Sequence, residues 1–199
     1  MTILPMYPTS INEKYMELVI NTLRDGGIII YPTDSLYAIG CNALNNQAIE
    51  RICRIKGINP AKTNLSIICH DISQSAEYAR IDNRAFRIMK DNLPGPFTFL
   101  LPASTTLPKV FKGRKTVGVR IPDNAIAREI AMRMDSPLLT TSIQWDTEDE
   151  AINPESIAMR YSDTVDIVID GGEGGTEPST VIDLSLIHIS EPTRQEAIS

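Results

Sequence analysis

Gly27-Ile28-Ile29-Ile30-Tyr31-Pro32-Thr33-Asp34-Ser35-Leu36-Tyr37-Ala38-Ile39-Gly40-Cys41 is the stretch on which the fold class turns. It opens as an apolar run of strand length, rich in β-branched residues, and Pro32 stops it. Next comes a hydroxyl-rich loop at the carboxyl end of a buried strand, where α/β folds place their ligands. Thr33, Ser35 and Tyr37 alternate, so their hydroxyls are expected to converge on one side around a small polar substrate. A local reading of the same residues is a turn capped by Asp34.

On the amino-terminal side, Met1 to Ile11 has two prolines and no period, which predicts an extended arm. Met16, Val19, Ile20 and Leu23 fall at helical spacing after Asn12, a good cap, and Gly26-Gly27 ends that helix. Downstream, the periodicity predicts helices at 46–56, 73–78, 83–92, 125–134 and 154–161, and strands at 65–69, 97–101, 117–121, 138–142, 165–169 and 180–184. Strands alternate with helices except between Phe97 and Ile121, where two strands follow each other directly. The expected fold is therefore α/β: a twisted mixed parallel/antiparallel sheet with flanking helices around a basic cavity. No repeat or linker interrupts it, so residues 1–185 are expected to form one domain, with 186–199 a divergent tail.

The chain has 199 residues, 42% of them hydrophobic, enough to bury a core without staples. Its three cysteines, Cys41, Cys53 and Cys69, show no paired spacing, and no secretory h-region follows Met1. No apolar run reaches the roughly 18 residues of a membrane span. These features lead to the expectation of a cytoplasmic protein without membrane attachment. The net charge of −6 argues against a nucleic-acid binder, but it is unevenly spread: −3 over residues 1–50, +9 over 51–133 and −12 over 134–199. A basic middle can focus anions while the whole stays acidic. It can equally be a set of solvated helix faces.

Several side chains stand out for chemistry. Lys56, with Arg54 and Lys62 nearby, lies at a helix end, a natural partner for phosphate oxygens. Lys112, Arg114, Lys115 and Arg120 crowd nine residues, and Arg120 faces away from Val117, Val119 and Ile121 on its strand. An arginine there needs an anion, either a ligand or a structural partner such as Asp34 or Asp123. Leu93-Pro94-Gly95-Pro96-Phe97-Thr98 predicts a rigid turn that leaves Thr98 near the cavity. Thr140-Thr141-Ser142-Ile143-Gln144 ends a strand with three hydroxyls. Gly171-Gly172-Glu173-Gly174-Gly175 lacks the lysine and strand-to-helix context of a phosphate-binding P-loop, and predicts a mobile loop. No cluster has metal-ligand spacing.

Together these segments resemble the YrdC/YciO family over roughly residues 12–185. The 32–41 run is similar to the family's Pro-Thr-Asp-Thr-x-Tyr-Gly-Leu. Residues 94–98 resemble its Pro-Gly-Pro-x-Thr, 119–122 its Val-Arg-x-Pro, and 178–183 its Pro-Ser-Thr-Val-Val-Asp. The resemblance implies a YrdC-like fold and a nucleotidyltransferase activity joining L-threonine, bicarbonate and ATP into threonylcarbamoyl-AMP for tRNA modification. It implies Lys56 and Arg120 as catalytic residues, and Thr33, Ser35, Tyr37, His70 and Thr141 on substrate. Lys56, Arg54, Lys62, Ser142, Gln144, Ser179 and Thr180 are implied on the nucleotide, with Mg²⁺ arriving as part of the ATP complex rather than on a protein site.

The chain departs from the pattern at two points. Ile58 stands where the family's Lys-x-Arg places an arginine, and Gln144 where its Thr-Ser-Ala-Asn places an asparagine. Losing that arginine removes a charge-assisted bond worth roughly 1.5–3 kcal/mol. This combination is similar to the YciO branch. Two other readings stay open: a catalytically weak nucleotide-binding paralogue, and a double-stranded RNA- or tRNA-binding module using the basic middle. Either a monomer or a homodimer is compatible with the sequence.

Overall fold

A computed structural model describes residues 1–108, 111 and 115–185. Lys112, Arg114 and the tail at 186–199 lie outside the described residues. Nine strands occur along the described chain: β1 (Thr2–Pro5), β2 (Ile29–Tyr31), β3 (Ala38–Asn42), β4 (Ser66–Ile68), β5 (Phe97–Pro102), β6 (Thr116–Arg120), β7 (Leu138–Ser142), β8 (Ile167–Asp170) and β9 (Thr180–Asp183). The helices are α1 (Glu13–Arg24), α2 (Asn46–Lys56), α3 (Ile72–Ser75), α4 (Asn83–Asn92), α5 (Ala125–Met134), α6 (Glu148–Ile152) and α7 (Pro154–Tyr161). Asn12 caps α1 through its side chain, which accepts from Tyr15 N, and Asn45 does the same for α2, accepting from Ala48 N.

All nine strands join one mixed sheet in the order β1-β8-β2-β3-β7-β4-β6-β5-β9. The β5–β6 pair, consecutive in sequence, is antiparallel, whereas β4–β6, β2–β8 and β5–β9 are parallel. The α/β mixed sheet expected from the sequence is the fold. Four elements differ from expectation, one of them α6 at Glu148–Ile152, where no helix was expected. The N-terminal arm is a strand, β1, paired in parallel with β8. Residues 38–42, expected as loop, form β3 between β2 and β7. The helix expected over 73–78 is the shorter α3. A two-proline arm and the apolar run Ala38-Ile39-Gly40-Cys41 carry no period of their own; pairing with neighbours decides both.

Alternate residues on each central strand enter two different cores. Ile28, Ile30, Ile39, Ile67, Val119 and Leu139 pack beneath α2, α4 and α7. Ile29, Tyr31, Ala38, Ile68 and Leu138 face the other way, toward Met16, Val19, Ile20 and Leu23 of α1 and Ile126 and Ile130 of α5. On the first face the apolar core reaches from Val168 of β8 to Phe99 and Leu101 of β5, while Ile3 of β1 is exposed. On the second face the covering helices stop part-way, and the chain records it: Ile68 gives way to Ser66 along β4, and Leu138 to Thr140 and Ser142 along β7. These small polar residues floor an open cavity.

Candidate active site

The cavity has a volume of about 300 Å³. Its floor comes from five strands: Ala38 of β3, Thr140 of β7, Ser66 of β4, Arg120 of β6 and Thr98 with Leu100 of β5. Ser35 and Leu36 wall it from the β2–β3 loop, Pro178 and Ser179 from the approach to β9, and Val181 from β9 itself. Ser179 and Thr98 share a hydrogen bond of 2.6 Å between their hydroxyls, which ties that wall to the floor.

Arg120 dominates the electrostatics. Its Nη2 donates to Asp34 Oδ1 at 3.2 Å and to Ser35 Oγ at 2.9 Å. The two side chains of this ion pair are only 9% and 10% exposed. Asp34 also accepts from the Asp123 backbone N–H at 2.6 Å. The acidic loop residue is thus a long-range anchor for Arg120 rather than a local turn cap. Burial pulls the Arg120 guanidinium below its ordinary pKa, and the Asp34 carboxylate acts against that pull. Its Nε is buried without a hydrogen-bond partner. A buried, unsatisfied guanidinium N–H is costly unless something accepts from it.

The β2–β3 loop brings two of its three hydroxyls together, Thr33 Oγ1 and Ser35 Oγ at 3.2 Å, but not the third. Residues 34–36 bend, which breaks the two-residue alternation on which that expectation rested. Thr33 Oγ1 turns inward, donating to Leu36 O and accepting from Ser35 N. Ser35 reaches the cavity. Tyr37 points elsewhere: its hydroxyl donates to Gly172 O at 2.7 Å and accepts from Gly171 N at 3.0 Å. The glycine-rich loop at 171–175 is therefore pinned, in contrast to the mobile loop expected. Glycine is required for the close approach, since a Cβ at Gly174 would stand 2.5 Å from the Tyr37 ring. Tyr37→Phe is expected to speed amide exchange at 171–175 by about tenfold while strands β3 and β7 stay protected, as hydrogen exchange would show.

The other expected site residues divide. Thr141 and Ser142 line the cavity rim. Lys56, in the last turn of α2, donates from Nζ to the Ser142 carbonyl, and desolvation pulls its ammonium below the usual lysine pKa. Gln144 donates from its side chain toward Lys56 O at 3.5 Å and from its backbone to the Tyr161 hydroxyl at 2.8 Å. Arg54 lies on a separate polar groove with Asn45, Gln47 and Arg51, and His70 on a third concavity with Leu93, Pro94 and Arg128. Lys62 and Thr180 are exposed and outside the cavity lining. Ile58 packs against the apolar core. Sequence reasoning misses Ser66 as a site residue, because only the strand order sets it beside Arg120, and Asn64 in the segment that leads into β4.

A family model named for Sua5, YciO and YrdC, and described as telomere recombination, matches residues 21–194. The chain belongs to the Sua5/YciO/YrdC family. The match runs past Ser185, where the recognisable motifs stop. An uncharacterized protein YciO of Escherichia coli K12 is 39% identical over 183 residues, covering 90% of this chain and 88% of that one. A threonylcarbamoyl-AMP synthase of Pyrococcus abyssi is 32% identical over 189 residues, covering 93% of this chain and 55% of the synthase. Among solved structures, that of E. coli YciO superposes with a TM-score of 0.85 at 38% identity, covering 93% and 91%. P. abyssi Sua5 complexed with L-threonine gives 0.83 at 31% identity, covering 92% of this chain and 54% of that one. Among the described residues, no group of three or more His, Cys, Asp or Glu stands where it could hold a metal ion, and no helix is long and apolar enough to cross a membrane.

Proposed function

We propose that this chain joins L-threonine, bicarbonate and ATP into threonylcarbamoyl-AMP with release of pyrophosphate, a product that serves threonylcarbamoyladenosine formation in tRNA. The observation that carries the reading is Arg120, a nearly buried cation held by Asp34 and Ser35, lining a cavity floored by hydroxyls. Relatives about one-third identical carry the synthase name, and one related structure holds L-threonine.

The chemistry asks for positioning and charge neutralisation more than for a covalent nucleophile. The threonine nitrogen bonds the bicarbonate carbon with loss of water, giving an N-carboxylate. An oxygen of that carboxylate attacks the α-phosphorus, and the bond to the β-phosphate bridging oxygen breaks, so pyrophosphate leaves. Arg120, held by Asp34 and Ser35, stands ready to offset negative charge in the cavity. Lys56 at the Ser142 rim would meet nucleotide phosphates once it exchanges the carbonyl for them. Mg²⁺ entering with the nucleotide would withdraw charge from those phosphates.

One observation favours a second reading, a nucleotide-binding paralogue with weak turnover. Ile58, half-buried against the core, stands where the family arginine is expected, so no guanidinium stands there. Pyrophosphate release by the purified protein, with each substrate omitted in turn, separates the two. The synthase requires all three substrates, and Lys56→Ala should slow release about 100-fold. ATP binding by calorimetry without release would favour the paralogue.

A further inference from the structure

The Tyr31 side chain ends beneath the cavity floor. It is fully buried, and its hydroxyl donates to Thr140 Oγ1 at 2.7 Å. This reach exists because Gly40 has no side chain: a Cβ there would stand 2.8 Å from the Tyr31 ring and 3.0 Å from its oxygen. Burial pushes the phenol pKa upward, so the hydroxyl keeps its proton at any working pH. Thr140 lines the cavity, as does Arg120, whose Nε is unpartnered.

A threonine hydroxyl carries one hydrogen and two lone pairs and turns to suit its partners. Once Tyr31 occupies its acceptor side, the Thr140 hydrogen is left to point away from the phenol. We propose that Tyr31 is a positioning residue. By donating into Thr140 Oγ1 it fixes the Thr140 hydroxyl as a donor into the cavity, which beside the Arg120 guanidinium lining the same cavity makes a seat for an oxyanion, a carboxylate or a phosphate. The inference rests on the synthase reading only in taking this cavity as the substrate site; it concerns binding and needs no turnover.

Calorimetry on the full chain tests it, with L-threonine, L-threoninol and inorganic phosphate as probes. Threonine binding without threoninol binding assigns the seat to a carboxylate, and phosphate binding assigns it to a phosphate. Tyr31→Phe and Thr140→Val should each weaken the bound probe about tenfold, the size expected for one buried hydrogen bond. Thr140→Ser should hold affinity within about threefold, because it keeps the hydroxyl. The double variant Tyr31→Phe/Thr140→Val should bind no more weakly than Thr140→Val alone. A Tyr31→Phe protein that binds like wild type overturns the proposal. So does an additive double variant, which would mark Tyr31 as merely structural, and so does a wild-type protein that binds neither threonine nor phosphate. Intact binding differences without pyrophosphate release would count against the synthase reading alone.

Discussion

Arg120→Ala is expected to lower pyrophosphate release by at least about 100-fold and to destabilise the fold by about 3–5 kcal/mol. Both losses have one origin. The guanidinium is the partner of Asp34, and the two side chains are 9% and 10% exposed. Removing the cation leaves a buried carboxylate with a single remaining donor, the Asp123 backbone N–H. The same deletion removes the guanidinium from the cavity lining and releases Ser35 from its Nη2 bond. Arg120→Lys should separate the effects. A lysine can meet Asp34 and so keep much of the stability, but it lacks the planar fork that reaches Asp34 and Ser35 with one nitrogen while presenting another to the cavity. Urea unfolding and pyrophosphate release on the two variants check this. An alanine variant within about 1 kcal/mol of wild type would contradict a buried pair and fit an exposed one.

Gly40→Ala should cost about 2–3 kcal/mol, read as a fall in Tm of roughly 5–12 °C for a chain of this size. Gly40 sits in β3, flanked by β2 and β7, and an added Cβ would meet Leu139 O at 2.3 Å and the Tyr31 ring at 2.8 Å. A backbone carbonyl in the middle of a sheet cannot step aside as a side-chain tip can. Gly57→Ala is the matched control. Nothing lies within 4 Å of a Cβ there, and the cost is that of a left-handed backbone at φ 66°, about 1 kcal/mol. If both substitutions cost the same, close packing at Gly40 is not what sets its identity.

The fold class was legible because its signals are local. Helix periods, with the Asn12 cap, and the uninterrupted pair of strands between Phe97 and Arg120 are written in consecutive residues. β1 and β3 were not legible, because an extended segment becomes a strand only when a neighbour accepts its hydrogen bonds. The same limit applied to the site. Arg120 announced itself as a cation among apolar residues, and Asp34 was one of two acids named as possible partners. Tyr37 misled because alternation assumes an extended chain, and the bend at 34–36 sends its hydroxyl to Gly171 and Gly172. Ser66 and Thr140 reach the cavity through strand order, which no short stretch of sequence encodes. Arg54 and His70 are near the site in sequence but line other surfaces.

Synthase activity is tested most directly by transfer of labelled bicarbonate carbon into a nucleotide product by the purified protein. With L-threonine and ATP present, label should appear in a species with the mass of threonylcarbamoyl-AMP, lost when threonine is omitted and lost in Arg120→Ala. Absence of label from any nucleotide, in a folded wild-type protein that binds ATP, would contradict the proposed reaction.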